Sequence, residues 1–312
     1  MGSSLAGHLI FGARPVRTPT HFMSENHAPF PFIIGAPRSG TTLLRLMLDS
    51  HPDLAIPPET GFLPRAARLH LPLFLRSRLF HLVTRSTPAW PDFHLDRSEF
   101  GQALEQIRPF TLSEGIRAFY RLYAQMHGKI RSGDKTPLYA LEMPAIRSLL
   151  PEAHFIHIIR DGRDVALSLR KTWFTPSRDI AALARYWVRI IRTARAEGRN
   201  SSSYLELRYE DLLADTEGNI RSICRSLQLD FRPCMLEYWR NAPKRLEEHE
   251  GRYRRDGTVI VTRDQRLEQQ RLTTYPPQLN RVGGWRQVMS MQEEKAFCDV
   301  AGPLLVELGY EF

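Results

Sequence analysis

The 312-residue sequence predicts an α/β fold in which a parallel β-sheet is flanked by helices on both faces. Three apolar runs have the length and composition of buried strands, at 31–36, 154–159 and 204–207. Helical segments of roughly 10 to 20 residues lie between them, and strands that alternate with helices form right-handed βαβ units. Because ligands bind at the carboxyl ends of such strands, we expect the functional residues to follow these runs.

The first strand leads into a loop with the G-x-x-x-x-G spacing of a phosphate-binding loop, from Gly35 to Gly40, and then into a helix predicted over 40–50. Backbone N–H groups at the start of a helix bind phosphate oxygens. Thr41 occupies the position that holds lysine in nucleoside-triphosphate loops, and the nearest cation is Arg38. We therefore predict a sheet of the P-loop type that lacks the lysine reaching a γ-phosphate.

The other elements follow from helical composition and from residues that end helices. Prolines at 52 and 151 end the predicted helices over 40–50 and 138–150. Residues 61–128 are predicted to form helices and loops, with one helix over 112–126. Further helices are predicted up to residue 171, over 178–197, between 208 and 241, and over 291–308.

These segments indicate a single domain over residues 30–312 with helical insertions, preceded by a flexible extension at residues 1–29. The extension is rich in Gly, Ser, Pro and His, and its apolar run is too short for a signal sequence. Residues 242–282 are highly charged and have no regular period. We expect them to form a solvated excursion or a flap over the site.

The net charge of +9 comes mainly from arginine, since only five of the 43 basic residues are lysines. Arginine suits bidentate binding of anions, although an arginine-rich composition without functional meaning explains the charge equally well. No stripe of basic and aromatic residues indicates nucleic-acid binding. Three scattered cysteines argue against disulfides and a zinc site, and no apolar stretch reaches the roughly 20 residues of a membrane span. These features predict a cytoplasmic protein.

Short motifs occur in order along the chain, at 37–43, 48–54 with 58–60, 133–137, 155–164 with Ser168, 208–212 and 282–286. With these motifs, the chain resembles the sulfotransferases that use 3′-phosphoadenosine 5′-phosphosulfate (PAPS). In particular, it resembles the branch that contains bacterial enzymes and the protein-tyrosine sulfotransferases. The resemblance implies PAPS as cosubstrate, 3′-phosphoadenosine 5′-phosphate (PAP) as product, and no requirement for a metal.

Two anion pockets for PAPS are implied by the resemblance. The residues of the 5′-phosphosulfate pocket are Arg38, Ser39, Gly40, Thr41 and Thr42. Those of the 3′-phosphate pocket are Arg160 and Ser168, with a further basic residue at either Arg170 or Lys171. Tyr209 matches a tyrosine near the nucleotide, or it only begins a helix whose first turn is acidic. Arg281 and Arg286 flank a Gly-Gly-Trp segment that closes over the 3′-phosphate in relatives, where Trp285 is either a ligand contact or a core residue.

Three residues match the catalytic groups of this branch. Glu59 matches the general base that acts on the acceptor hydroxyl, and a solvated loop glutamate is the alternative. Lys135 matches the lysine that stabilises the leaving phosphate, and a surface lysine paired with Asp134 is the alternative. Arg38 is also able to stabilise charge on the sulfuryl oxygens. No histidine is assigned a role, although the cytosolic branch of the family uses a histidine base.

Two other classes of function also fit parts of the sequence. A P-loop kinase or nucleotide hydrolase needs lysine at position 41 and an aspartate directly after an apolar strand, whereas Arg160 precedes Asp161 here. A non-catalytic nucleotide-binding protein would keep the phosphate loop but lack the base and the leaving-group cation.

The acceptor is expected to be a small-molecule, sugar, lipid or peptide hydroxyl, and the oligomeric state stays open. Arginines at 65, 68, 76, 78, 85 and 97 favour an anionic or acidic-peptide acceptor, or else form a solvated face.

Overall fold

The computed structural model describes residues 28–68, 73–254 and 256–311. The predicted extension at residues 1–29 therefore lies almost entirely outside the described residues. Within them the strands are β1 (Phe30–Ile34), β2 (Leu54–Ala55), β3 (Arg131–Ser132), β4 (Asp134–Lys135), β5 (Ala153–Ile159), β6 (Tyr204–Arg208), β7 (Arg252–Tyr253) and β8 (Val259–Val261).

The central sheet has four strands in the order β4-β1-β5-β6, and every neighbouring pair in it is parallel. This arrangement confirms the predicted parallel sheet, and the three predicted strands are β1, β5 and β6. Strand β4 was not predicted as a strand, because two residues carry no periodicity and their partner, β1, lies about a hundred residues earlier in the sequence. Strand β1 ends at Ile34 rather than at residue 36, since Gly35 turns the chain with φ 149°.

The α-helices of the described residues are α1 (Thr41–Asp49), α2 (Leu63–Ala67), α3 (Leu73–Arg85), α4 (Arg97–Glu105), α5 (Leu112–Met126), α6 (Met143–Leu149), α7 (Gly162–Arg170), α8 (Ile180–Gly198), α9 (Tyr209–Ala214), α10 (Thr216–Ser226), α11 (Ala242–Leu246), α12 (Arg263–Gln270), α13 (Trp285–Val288) and α14 (Met291–Glu307). The predicted helix over 138–150 is in fact a 3₁₀ turn at Pro137–Leu141 followed by α6. Pro144 has no N–H to continue a helical ladder, so a new helix begins around it.

Side chains of the sheet alternate between two buried clusters, one on each face. In β1, Phe32 and Ile34 belong to a cluster that includes residues of α5, α8 and α14, whereas Ile33 belongs to a cluster with residues of α1 and α10. All five residues of β1 are buried, as expected for a parallel strand covered on both faces. Because helices cover both faces of the sheet, a ligand-binding site can form at the carboxyl ends of its strands.

Residues 242–282 contain α11, the hairpin β7–β8, α12 and two 3₁₀ turns at Arg271–Thr274 and Leu279–Arg281. The expectation of a solvated excursion is wrong at Arg252 and Arg266, which are mostly buried and both bind the carboxylate of Asp92. Asp92 lies in the 3₁₀ turn Trp90–Phe93 and is itself buried. The hairpin tip, with Val259 and Ile260, is exposed.

None of the helices in the described part of the chain is both long and apolar enough to cross a bilayer. Among the same residues, no group of three or more His, Cys, Asp or Glu side chains is arranged to hold a metal ion.

Candidate active site

The loop between β1 and α1 needs glycine at both ends for reasons of conformation and space. Gly40 has φ 96°, and a Cβ atom there would lie 2.5 Å from the ring of Tyr209. A Cβ at Gly35 would lie 2.4 Å from the carbonyl oxygen of Ile158 in β5. The two glycines therefore allow the loop to pack against the ends of the neighbouring strands, with the Tyr209 ring against the loop.

Helix α1 begins at this loop without a side-chain cap, because Gly40 is its N-cap residue. The first backbone N–H groups of a helix have no acceptor within the helix, and the helix dipole makes this end favourable for an anion. Arg38, Gly40, Thr41 and Thr42 line the adjacent cavity. Ser39 is fully buried instead, and its Oγ has no hydrogen-bond partner among the described residues.

Arg38 projects from the loop at a left-handed φ of 75°, which is costly for a residue with a side chain. Its Nε donates to Ser168 Oγ at 3.1 Å and one terminal nitrogen donates to the carbonyl oxygen of Gln269 at 3.2 Å. Burial and the charge of Arg160 lower the pKa of Arg38, and the charge of Glu59 opposes them. Arg38 is thus a buried cation at the loop, which favours binding of an anion there.

Arg160 follows β5 directly and forms the second cationic position. Its guanidinium donates to Asp164 Oδ2 at 3.2 Å and to the carbonyl oxygen of Arg281 at 3.3 Å, and it lies 4.7 Å from the ring centroid of Tyr209. Its Nε is buried and has no partner within the described residues. Ser168, on α7, lines the same cavity. Tyr209 begins α9, as one interpretation predicted, and its ring contacts Arg160; its place beside a nucleotide stays a prediction.

The basic residues predicted to surround the 3′-phosphate separate into two groups. Lys171 and Arg281 line the cavity. Arg170 instead binds Glu293 in α14. Arg286, which was predicted to contact the nucleotide, does not line the cavity: its guanidinium lies 4.8 Å from the Trp285 ring centroid and 3.9 Å from Glu311. The predicted contact of Arg286 with the nucleotide is therefore corrected. The turn at the start of α13 directs this side chain towards the chain's C-terminal residues.

Glu59 and Lys135 form an ion pair within the cavity. Lys135 Nζ donates to Glu59 Oε1 at 2.7 Å; the lysine side chain is 3% exposed and that of Glu59 is 55% exposed. Burial lowers the pKa of Lys135, while the charge of Glu59 opposes this shift. The alternative of a surface lysine paired with Asp134 is wrong, because Lys135 lies in β4, next to β1, and is buried.

Asp134 has partners of its own and holds the Glu59 loop against β4. It is fully buried and accepts hydrogen bonds from the hydroxyls of Thr60 and Tyr120, each at 2.7 Å. Burial raises the pKa of Asp134 to about 6, although these hydrogen bonds and the charge of Lys135 counteract it. Thr60 follows Glu59 and Asp134 precedes Lys135, so this network positions the ion pair. The sequence did not indicate this network, because the hydroxyl of Tyr120 comes from the distant helix α5.

One cavity of about 1180 Å³ contains the loop, Arg160, Ser168 and the Glu59–Lys135 pair. Several other residues that line it were not predicted individually from the sequence as site residues. They are Asp92, Trp173, Phe174, Tyr186, His249, Arg252, Arg266 and Gln269. Apart from Gln269, only charge and aromatic character mark them in the sequence, and many exposed residues share these properties.

The fold and the loop define a protein of the P-loop-type α/β class. A family model described as "Sulfotransferase family" matches residues 29–233, which is more than half of the chain. The chain therefore belongs to the sulfotransferase family and is a sulfotransferase enzyme.

Similar proteins and structures agree with this assignment. The nodulation protein NoeE of Sinorhizobium fredii is 29% identical over 318 residues, covering 93% of this chain and 68% of the relative. Protein-tyrosine sulfotransferase 1 of Danio rerio is 25% identical, covering 94% of this chain and 75% of the relative. The sulfotransferase domain of the Synechococcus PCC 7002 olefin synthase has the same fold, with a TM-score of 0.58 and 23% identity over 96% of this chain and all of that domain.

Proposed function

We propose that this enzyme transfers a sulfuryl group from PAPS to a hydroxyl group of an acceptor. The observation that carries the proposal is the presence, in one cavity, of two separate cationic positions and a carboxylate–lysine pair. PAPS carries a 5′-phosphosulfate and a 3′-phosphate, and it supplies the activated sulfuryl group. A donor with two anionic ends needs two such positions, and transfer to a hydroxyl needs a base and a cation for the leaving group.

The residues fit the two anions of PAPS because donors at both positions lack partners in the described protein. At the loop these are the uncapped start of α1 and the buried Ser39 Oγ, and at the second position it is Arg160 Nε. We assign the 5′-phosphosulfate to Arg38, Ser39, Gly40, Thr41 and Thr42. We assign the 3′-phosphate to Arg160, Ser168, Lys171 and Arg281, with Tyr209 beside the nucleotide. Arg286 is not included.

Glu59 is proposed as the general base that accepts the proton of the acceptor hydroxyl at a carboxylate oxygen. Lys135 holds this carboxylate at 2.7 Å in the free enzyme. When Glu59 becomes protonated, Lys135 loses its anionic hydrogen-bond partner. A buried ammonium then favours negative charge nearby, such as the charge that develops on the leaving phosphate. Arg38, buried beside another cation, is proposed to stabilise charge on the sulfuryl oxygens.

Calorimetry with PAP and with ATP–Mg²⁺ tests the choice of nucleotide. We expect tight binding of PAP and negligible binding of ATP, because Thr41 replaces the lysine of kinase loops and Asp161 is bound by the Arg163 side chain at 2.9–3.0 Å. Preferential binding of ATP would refute the proposal and favour a kinase.

Transfer of ³⁵S from labelled PAPS to a panel of hydroxyl compounds then tests the reaction. The panel should hold sugars, lipids, small metabolites and tyrosine peptides, the last because relatives are named protein-tyrosine sulfotransferases. Binding of PAP without transfer to any acceptor would favour a non-catalytic nucleotide-binding protein. The Glu59–Lys135 pair argues against that outcome. The cytoplasmic location stays a prediction.

A further inference from the structure

His249 is a preorganised hydrogen-bonding group in the cavity, and none of the roles proposed above involves it. It lies after α11, is 7% exposed and lines the cavity. Its Nδ1 is 3.1 Å from the carbonyl oxygen of Leu246. Since a carbonyl only accepts, Nδ1 carries the hydrogen and the neutral ring keeps its lone pair on Nε2. Among the described residues, Nε2 has no hydrogen-bond partner.

The two neighbours of His249 in the chain hold it in place. On one side, Glu248 binds Arg45 at 2.9 Å and accepts hydrogen bonds from the Tyr123 hydroxyl at 2.9 and 3.0 Å. On the other side, the backbone N–H of Glu250 donates to Asp92 Oδ1 at 2.9 Å. The ring is therefore fixed before any ligand binds, which lowers the entropy lost on binding.

The ring also stays neutral over the physiological pH range. Burial lowers the pKa of His249 to about 3, and the cations Arg266, Arg45 and Lys135 lower it further while the Asp92 carboxylate opposes them. A ring that resists protonation is a poor general base but a permanent hydrogen-bond acceptor. Lys135, a member of the proposed catalytic pair, is among the charges that act on it.

We propose that His249 Nε2 accepts a hydrogen bond from a second donor group of the acceptor substrate, near the hydroxyl that receives the sulfuryl group. The inference rests on the proposed function and narrows it to acceptors with a further hydroxyl or N–H close to the reacting one. Sulfate groups and doubly ionised phosphate groups have no hydrogen to donate, so they do not satisfy this nitrogen. A site that binds a substrate hydroxyl in this way discriminates against analogues that lack it.

Matched acceptors test this role: catechol against phenol, and methyl β-D-glucopyranoside against its 2-deoxy analogue, each with ³⁵S-labelled PAPS. For the wild type we expect kcat/KM to be about tenfold higher for the member with the second hydroxyl, as one buried hydrogen bond allows. In His249→Phe the ratio should fall to about one. His249→Gln, whose amide oxygen also accepts, should restore part of it. The Kd for PAP should stay within about twofold in both variants, which also shows that they fold.

Long-range ¹H–¹⁵N NMR of the histidine rings tests the inference without an acceptor substrate. We expect His249 to be neutral with hydrogen on Nδ1 between pH 5.5 and 8. A charged ring, or hydrogen on Nε2, overturns the inference even if no tested acceptor is sulfated. An unchanged ratio in His249→Phe also overturns it, with the proposed function intact. Failure of the wild type to bind PAP would instead overturn the proposed function.

Discussion

Replacement of Arg160 by methionine is expected to weaken PAP binding by about 10- to 100-fold and to leave binding of adenosine 5′-monophosphate (AMP) nearly unchanged. The two ligands differ only in the 3′-phosphate that Arg160 is proposed to bind. Hydrogen bonds to a charged group contribute roughly 1.5–3 kcal/mol, and each 1.4 kcal/mol changes Kd about tenfold.

The Arg160→Met variant should keep its fold, because the residues that contact Arg160 are also held by other interactions. Asp164, which loses Arg160, still accepts from the backbone N–H groups of Gly283 at 3.1 Å and Trp285 at 2.8 Å. The methionine side chain also keeps an apolar stem against the Tyr209 ring, where the guanidinium now lies at 4.7 Å.

Calorimetry of both ligands with the wild type, Arg160→Met and Arg286→Met is the assay. Arg286 is the matched control, because its guanidinium lies outside the cavity; both Kd values should stay within about twofold. Two results would refute the reasoning: an equal loss for AMP and PAP in Arg160→Met, or a loss of PAP affinity in Arg286→Met as large as that in Arg160→Met. The first would mean that Arg160 does not bind the 3′-phosphate.

Three further substitutions test residues in and behind the cavity. Glu59→Gln should lower sulfuryl transfer by about 10²- to 10⁴-fold while the Kd for PAP changes less than about threefold, and a variant with half of the wild-type turnover would exclude the base role. Asp134→Asn should remove a pH dependence of stability, measured by urea unfolding at several pH values. The pKa of Asp134 is raised to about 6 in the folded state, above its unfolded value of about 3.9, so the folded state binds this proton more tightly and its contribution to stability is lost as pH rises from about 4 to about 6. The difference in unfolding free energy between the variant and the wild type should grow over that interval, and a constant difference would contradict the shift. Asp92→Ala should leave Arg252 and Arg266 without their carboxylate and lower the free energy of unfolding by about 3–5 kcal/mol. Proteolysis within residues 242–282 should become faster. Unchanged proteolysis would show that these ion pairs do not anchor the segment.

Much of the side proposed to bind the nucleotide could be predicted, because its residues are neighbours in sequence. The loop from Gly35 to Thr42 is a strand–turn–helix unit in which spacing alone indicates an anion site. Arg160 and Ser168 lie at the next strand–helix junction, eight residues apart. The parallel sheet brings the two junctions to one edge, as confirmed by the pairing of β1 with β5.

The rest of the cavity could be predicted only in part, because its contacts join distant segments. Asp92 lies 160 residues from Arg252 and 174 from Arg266, and no local pattern links them. Strand β4 is too short to show a period. His249 stands in a charged stretch that was predicted to be solvated, and it is held in place through its neighbour Glu248, which contacts Arg45 and Tyr123 in other helices.

The sequence by itself determined the fold class, the phosphate-binding loop and the family, since these depend on local spacing and on the order of strands and helices. Only the tertiary structure decided which charges meet. It paired Lys135 with Glu59, turned Arg170 towards Glu293 and left Lys171 in the cavity, and directed Arg286 away from it. The physical reason is that a side chain's direction depends on how its helix or strand packs, and burial then makes each charge depend on the partner that is nearest in space.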